Sequence, residues 1–166
     1  LIFTVFSAKA EIVSTEEIRN IKQVMYRAIG SAKITDSLYT KLLAKKSDNA
    51  QIIAYVGTLE ALKAKHSWNP YNKIKYVSKS QKTMKRAVNA APGNMEIRFM
   101  RFTIQHYTPV FLGYSSELDE DRIEIVKHYK DNTLIPDHSL IKGIAKFMIE
   151  SKRCTAAEIQ VFKKYV

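Results

Sequence analysis

The stretch "KHSWNPYNKIK", Lys65 to Lys75, decides how the chain is read. It holds the one tryptophan of the 166 residues, an Asn-Pro-Tyr run, and basic residues on both sides. Asn69-Pro70 is a helix-start signal: asparagine caps a free backbone N–H, and proline at the first helical position has no N–H to leave unsatisfied. Upstream, Ile52, Val56, Leu59 and Leu62 recur at helical spacing; downstream, Ile74, Val77, Met84, Ala87, Val88 and Ala91 do the same. The stretch is therefore the joint of a helical hairpin. Trp68 and Tyr71 are expected to pack beneath that joint and set its angle; the alternative is that they stack on a ligand.

The same grammar extends outward. Ser14-Thr-Glu-Glu17 reads as a capping box ahead of Ile18, Ile21, Met25 and Ala28, and Gly30 ends that helix. A second helix covers about Ala32 to Lys46, with Leu38, Leu42 and Leu43 inward and Tyr39 beside them. Ser47-Asp-Asn49 caps the third, where Gly57 costs about 1 kcal/mol relative to alanine and so implies a closely approaching neighbour. Beyond "APGN" at 91–94, a fifth helix carries Ile97, Met100 and Ile104 with Phe99 and Phe102 alongside. A sixth opens near Ser116 on an acidic first turn, and "NTLIPD" separates it from a seventh with Leu140, Ile141, Ile144, Ala145 and Met148. Thr155-Ala-Ala-Glu158 is a second capping box and starts the last. The reading is all-α: about eight helices in four antiparallel hairpins, recurring as in an α-solenoid.

Bulk properties fit a single packed domain over residues 11–166. Hydrophobic content of 46% and charged content of 26% are those of a globular protein. Five glycines and four prolines are too few for a turn-rich β-sandwich. A net charge of +11 favours acidic partners. Cys154 is the lone cysteine, which excludes an internal disulfide framework. The start, "LIFTVFSAKAEIVS", lacks methionine and places Ala8 and Ala10 as in an A-x-A cleavage site. Residues 1–10 are thus expected to be the remnant of a secretory signal peptide and the protein to be exported, periplasmic or secreted; the alternative is an apolar first segment packed on the domain of a cytoplasmic protein. No run reaches transmembrane length.

The segment "SKSQKTMKRAVNAAPGN", Ser78 to Asn94, resembles the second helix and exit turn of a tetratricopeptide repeat: Ser80, Met84, Ala87 and Pro92 match its small, large apolar, alanine and proline positions. Gly57 matches that repeat's glycine. More broadly, the order "GTLEALKAKHSWNPYNK … APGNMEIRFMRFTIQHYTPVFLGY" is similar to a family of small exported bacterial proteins of unknown function. The resemblances imply a right-handed helical array and supply no catalytic residues.

Candidate chemistry concentrates between Lys63 and Arg101, where ten Lys and Arg face one acid, Glu96. Lys75, Lys79, Lys82 and Arg86 share one helix face and, with Trp68 and Tyr71, have the makings of a groove for a phosphate chain or acidic peptide. A solvated basic face is the competing reading. Arg98 and Arg101 have two roles open: gripping a partner's carboxylate, or pairing with Glu117, Asp119, Glu120 and Asp121 of the next helix. His66, His106, His128 and His138 have no metal-ligand spacing, and no nucleophile motif or phosphate-cradling glycine loop exists. The expectation is a monomeric, non-enzymatic scaffold for a protein or peptide partner, without cofactor or metal. The alternative is a polyanion-binding module working through the basic face of residues 63–101, its ligand nucleic acid, an anionic glycan or lipid head groups, with nucleic acid not favoured.

Overall fold

The computed structural model describes residues 13–131 and 138–166. Among them are eight α-helices and no strand: α1 (Thr15–Ala28), α2 (Ala32–Ala44), α3 (Ala50–His66), α4 (Pro70–Ala90), α5 (Met95–Tyr107), α6 (Leu118–Lys130), α7 (His138–Glu150) and α8 (Ala156–Phe162). The all-α expectation holds. The expected signal remnant, residues 1–10, and the joint at 132–137 lie outside the described residues. No helix among the described residues is long and apolar enough to cross a membrane.

Side-chain caps fix the helix starts. Asn49 Oδ1 accepts from Gln51 N at 2.9 Å, Asn69 Oδ1 from Tyr71 N at 2.9 Å, and Asn94 Oδ1 from Ile97 N at 3.1 Å. Thr155 and Glu158 form the full reciprocal box. At Ser14 the hydroxyl accepts from Glu17 N, while the Glu17 carboxylate is turned to Lys45 Nζ at 2.7 Å.

The described residues divide at Ala90/Ala91 into two compact units. In the first, α3 is the central rod: Ile52 through Gly57, Leu59, Glu60 and Ala64 are buried, a pattern that no single face contains. α2 and α4 pack on it, burying Leu38, Tyr39 and Leu42 from one and Met84, Ala87 and Val88 from the other. Each large side chain so buried contributes about 1.5–3 kcal/mol. The close approach expected at Gly57 is present. A Cβ there would stand 2.7 Å from Met84 Sδ, and Ser80 Oγ donates to Gly57 O at 2.7 Å.

In the second unit, α5 packs on α6, and α8 receives both α6 and α7. The core gathers Phe102, Ile125, Ile144, Met148 and Phe162, all fully buried. Tyr129 meets the Phe162 ring edge-on at 4.8 Å and donates its hydroxyl to Ile141 O.

Three face assignments change. Leu43 is 43% exposed, because Thr35, Leu38, Tyr39 and Leu42 already fill the α2 stripe and Leu43 falls beyond its edge. Ile74 is 53% exposed on α4, which packs through Ser80, Thr83, Met84, Ala87 and Val88. On α5, Met100 and Ile104 are half-buried, while Arg98, Arg101 and Gln105 are buried. The buried face of α5 thus combines Met95, Ile97 and Phe102 with the paired arginines.

Candidate functional site

The elbow between α3 and α4 has a structural half and an exposed half. Lys65 Nζ donates to Ile29 O at 2.9 Å, and His66 Nε2 lies 3.1 Å from Ala28 O. Both therefore serve the carbonyl end of α1, where cationic groups suit the helix dipole. Asn69 is occupied as the α4 cap. Trp68, however, is 98% exposed and Tyr71 is 72% exposed. The expectation that they pack beneath the joint is overturned: the cap and the α1 contacts hold the elbow without them.

From the elbow, α4 carries six cations and no acid: Lys73, Lys75, Lys79, Lys82, Lys85 and Arg86. All six are exposed. Tyr71, Lys75, Lys79, Lys82 and Arg86 follow one another at three- and four-residue steps, so they form one row about 22 Å long on the side away from Met84 and Val88. Lys73, Lys75, Lys82, Lys85 and Arg86 form no ion pair among the described residues.

Lys79 differs from its neighbours in the row. Its ammonium donates to Tyr39 Oη at 2.6 Å and stands 3.4 Å from Glu60 Oε1, while Tyr39 donates to the same oxygen at 3.2 Å. Glu60 is 1% exposed. The hydrogen bond to Tyr39 and the charge of Glu60 hold the Lys79 pKa above its ordinary value, against the burial that lowers it. Its charge answers a buried carboxylate and is withdrawn from the candidate site. Lys63 is likewise matched, by Asp36, and lies over the rings of Tyr39 and Tyr76. A cavity of about 250 Å³ beside it, lined by Asp36, His66, Asn72 and Tyr76 among others, therefore offers no unmatched cation.

Arg98 and Arg101 are turned inward, onto the acids of α6. They are 6% and 4% exposed. Arg101 grips Asp121 through Nε–Oδ2 and Nη2–Oδ1 bonds of 2.7 Å each. Arg98 reaches Asp121 Oδ1 at 3.0 Å, Glu120, and the Pro92 carbonyl at 2.9 Å. The second of the two roles open in the sequence is the one found, and both arginines leave the candidate site. These networks turn on two buried carboxylates: Asp121, which the sequence offered without singling it out, and Glu60, which escaped the sequence reading. Asp121 sat among four equivalent acids. Glu60 had a signal: it is the only acid inside the apolar run Ile52 to Leu62.

Cys154 is partly buried, and burial pushes its thiol up to about 11, with Glu158 adding and Arg122 opposing. A thiol so held is a poor nucleophile. Among the described residues no three His, Cys, Asp or Glu side chains group closely enough to hold a metal ion. Comparison with protein-family models, with curated proteins and with solved structures found no match. Of the candidates read from the sequence, the exposed row on α4 with Trp68 is thus the one that the geometry of the described residues leaves standing.

Proposed function

We propose that the protein is a non-enzymatic, polyanion-binding module that works through the exposed face of α4, the reading ranked second from the sequence. The observation that carries it is the set of five unpaired cations, Lys73, Lys75, Lys82, Lys85 and Arg86, on a helix without an acid. The partner-groove alternative drew on Arg98 and Arg101, whose guanidinium groups are spent inside the protein.

Charge distribution supports the same reading. Residues 1–90 contain sixteen Lys and Arg against six Asp and Glu, a net +10; residues 91–166 contain eleven against ten, a net +1. A charge so segregated raises the local concentration of anions near one unit. In that unit α1 packs against α2 and α3, and α2 against α3, as successive hairpins of a tetratricopeptide-like array do. Such stacking is the architecture we propose for α1 to α4. Export, as read from residues 1–10, belongs to the same proposal.

The test is fluorescence anisotropy of a labelled oligodeoxythymidylate or heparin fragment titrated with protein over a range of salt. With about four contacts from Lys75, Lys82, Lys85 and Arg86, log affinity for the single strand should fall against log salt with a slope of about −3. Lys82→Glu with Lys85→Glu should remove most of the binding at low salt. Absence of binding to either polyanion at low salt contradicts the proposal. Lys79 is avoided because its reversal would disturb Glu60.

A further inference from the structure

Three exposed apolar residues cluster at one end of the basic row, and the reading above does not use them. Trp68 is 98% exposed, Tyr71 72% and Ile74 53%. They follow one another within seven residues at the elbow and first turn of α4, flanked by Lys73 and Lys75. Tyr71 heads the cationic row itself, and Ile74 lies on the same outer side of the helix. We propose that the polyanion is the surface of an anionic lipid bilayer, with α4 lying along the headgroups and Trp68, Tyr71 and Ile74 inserted at the boundary with the acyl chains.

Four observations favour a bilayer over a nucleic-acid strand. Tryptophan and tyrosine combine an apolar ring with a polar N–H or O–H, and the headgroup level satisfies both. Ile74 has no π-face to stack on a base, but it partitions readily into the acyl boundary. A strand-binding groove sets aromatic rings along the path of the bases. Here both aromatic residues belong to the elbow end, and from Lys75 to Arg86 the row carries cations alone. Of the five unpaired cations four are lysines, which act as point charges toward headgroup phosphates and lack the planar fork suited to base edges. Binding at a membrane interface grows with buried apolar area and with attraction to anionic lipid, and this face offers both, in the exposed Trp68, Tyr71 and Ile74 and in the basic row. No acid on α4 opposes the approach.

The inference rests on the polyanion reading, and one experiment separates their fates. Trp68 is the sole tryptophan, so fluorescence excited at the red edge, where tyrosine does not absorb, reports on it alone. The full chain is mixed with phosphatidylcholine vesicles, with the same vesicles containing phosphatidylserine, and with oligodeoxythymidylate. Phosphatidylserine vesicles should shift the emission to the blue and protect it from acrylamide, while pure phosphatidylcholine leaves both unchanged. Lys82→Glu with Lys85→Glu should weaken vesicle partitioning by on the order of tenfold or more. Trp68→Ala, followed by cosedimentation and with helicity checked by circular dichroism, should also reduce partitioning. Binding to the oligonucleotide without binding to vesicles overturns the lipid inference and leaves the polyanion reading intact. Vesicle binding with Trp68 still in water, red-emitting and fully quenchable, overturns the insertion of the elbow. Binding to neither ligand removes both.

Discussion

Arg101 and Asp121 meet through two charge-assisted bonds, with the carboxylate fully buried and Arg98 donating to the same Oδ1 as Arg101 Nη2. Removing one member of such a cluster leaves an uncompensated buried charge. Asp121→Ala should therefore destabilise the protein by about 3–5 kcal/mol. Denaturant unfolding measures it, and a cost below that of an ordinary surface substitution would contradict the burial. Arg101→Lys keeps the charge but loses the fork, so it should also destabilise. Trp68→Ala, by contrast, removes a side chain with almost no buried area, and stability should change by less than about 0.5 kcal/mol. At this scale the sequence was least legible. It showed that arginines and acids sit on successive helices. Which acid lands opposite Arg101 depends on the register of α5 against α6, and no local signal encodes that register. Trp68 misled for a related reason. Tryptophan in a joint is usually packed, but here Asn69, Lys65 and His66 already complete the elbow through backbone contacts.

Helix pairs show where packing overrides propensity. At Gly57 alanine would gain about 1 kcal/mol of helix propensity. Its Cβ would also collide with Met84, whose Sδ, Cγ and backbone N all lie within 3.3 Å. Overpacking costs of about 1–3 kcal/mol should prevail, so Gly57→Ala is expected to destabilise, and Met84→Ala to cost less in that background than in the parent because it removes the colliding atoms. The ion-paired elements also set opposite pH limits. Burial raises the Glu158 pKa, but the Thr155 N–H and Arg122 outweigh it and hold the carboxyl below its ordinary 4.5. Glu117 is held low against burial by Ser116, Gln105 and the Arg101 charge. A depressed carboxyl contributes stability that is present above the unfolded pKa and lost as pH falls through the folded one. The α6–α8 region should therefore weaken below about pH 4.5. Lys79 and Lys63 have raised pKa values, so their contribution is complete below 10.5 and disappears as pH rises through the folded values. Thermal unfolding across pH should show both limits. Helix starts were legible because caps are local chemistry, as at Asn49, Asn69, Asn94 and Thr155. Buried faces were less so: Ile74 fits the apolar period of α4, and only the direction from which α3 approaches leaves it in water.

Across the whole molecule, charge is the property that separates the two units, with a net +10 before Ala91 and +1 after it. The excess was visible in the sequence as a basic run from Lys63 to Arg101. Its partition was not, because Lys63 and Lys79 are neutralised by side chains far away in sequence, Asp36 and Glu60, and Arg98 and Arg101 by the acids of α6. What survives that internal matching is the outer face of α4. A mean-charge effect and a localised site make different predictions for variants of equal net charge. The decisive measurement compares the salt concentration at which three proteins leave a heparin column: the parent, Lys75→Glu/Lys82→Glu/Arg86→Glu on α4, and Lys142→Glu/Lys146→Glu/Lys164→Glu on the exposed surface of the second unit. A site on α4 predicts a large drop in eluting salt for the first variant and a small one for the second. Equal drops for the two variants would contradict it, leaving the basic face as solvated surface and nothing more.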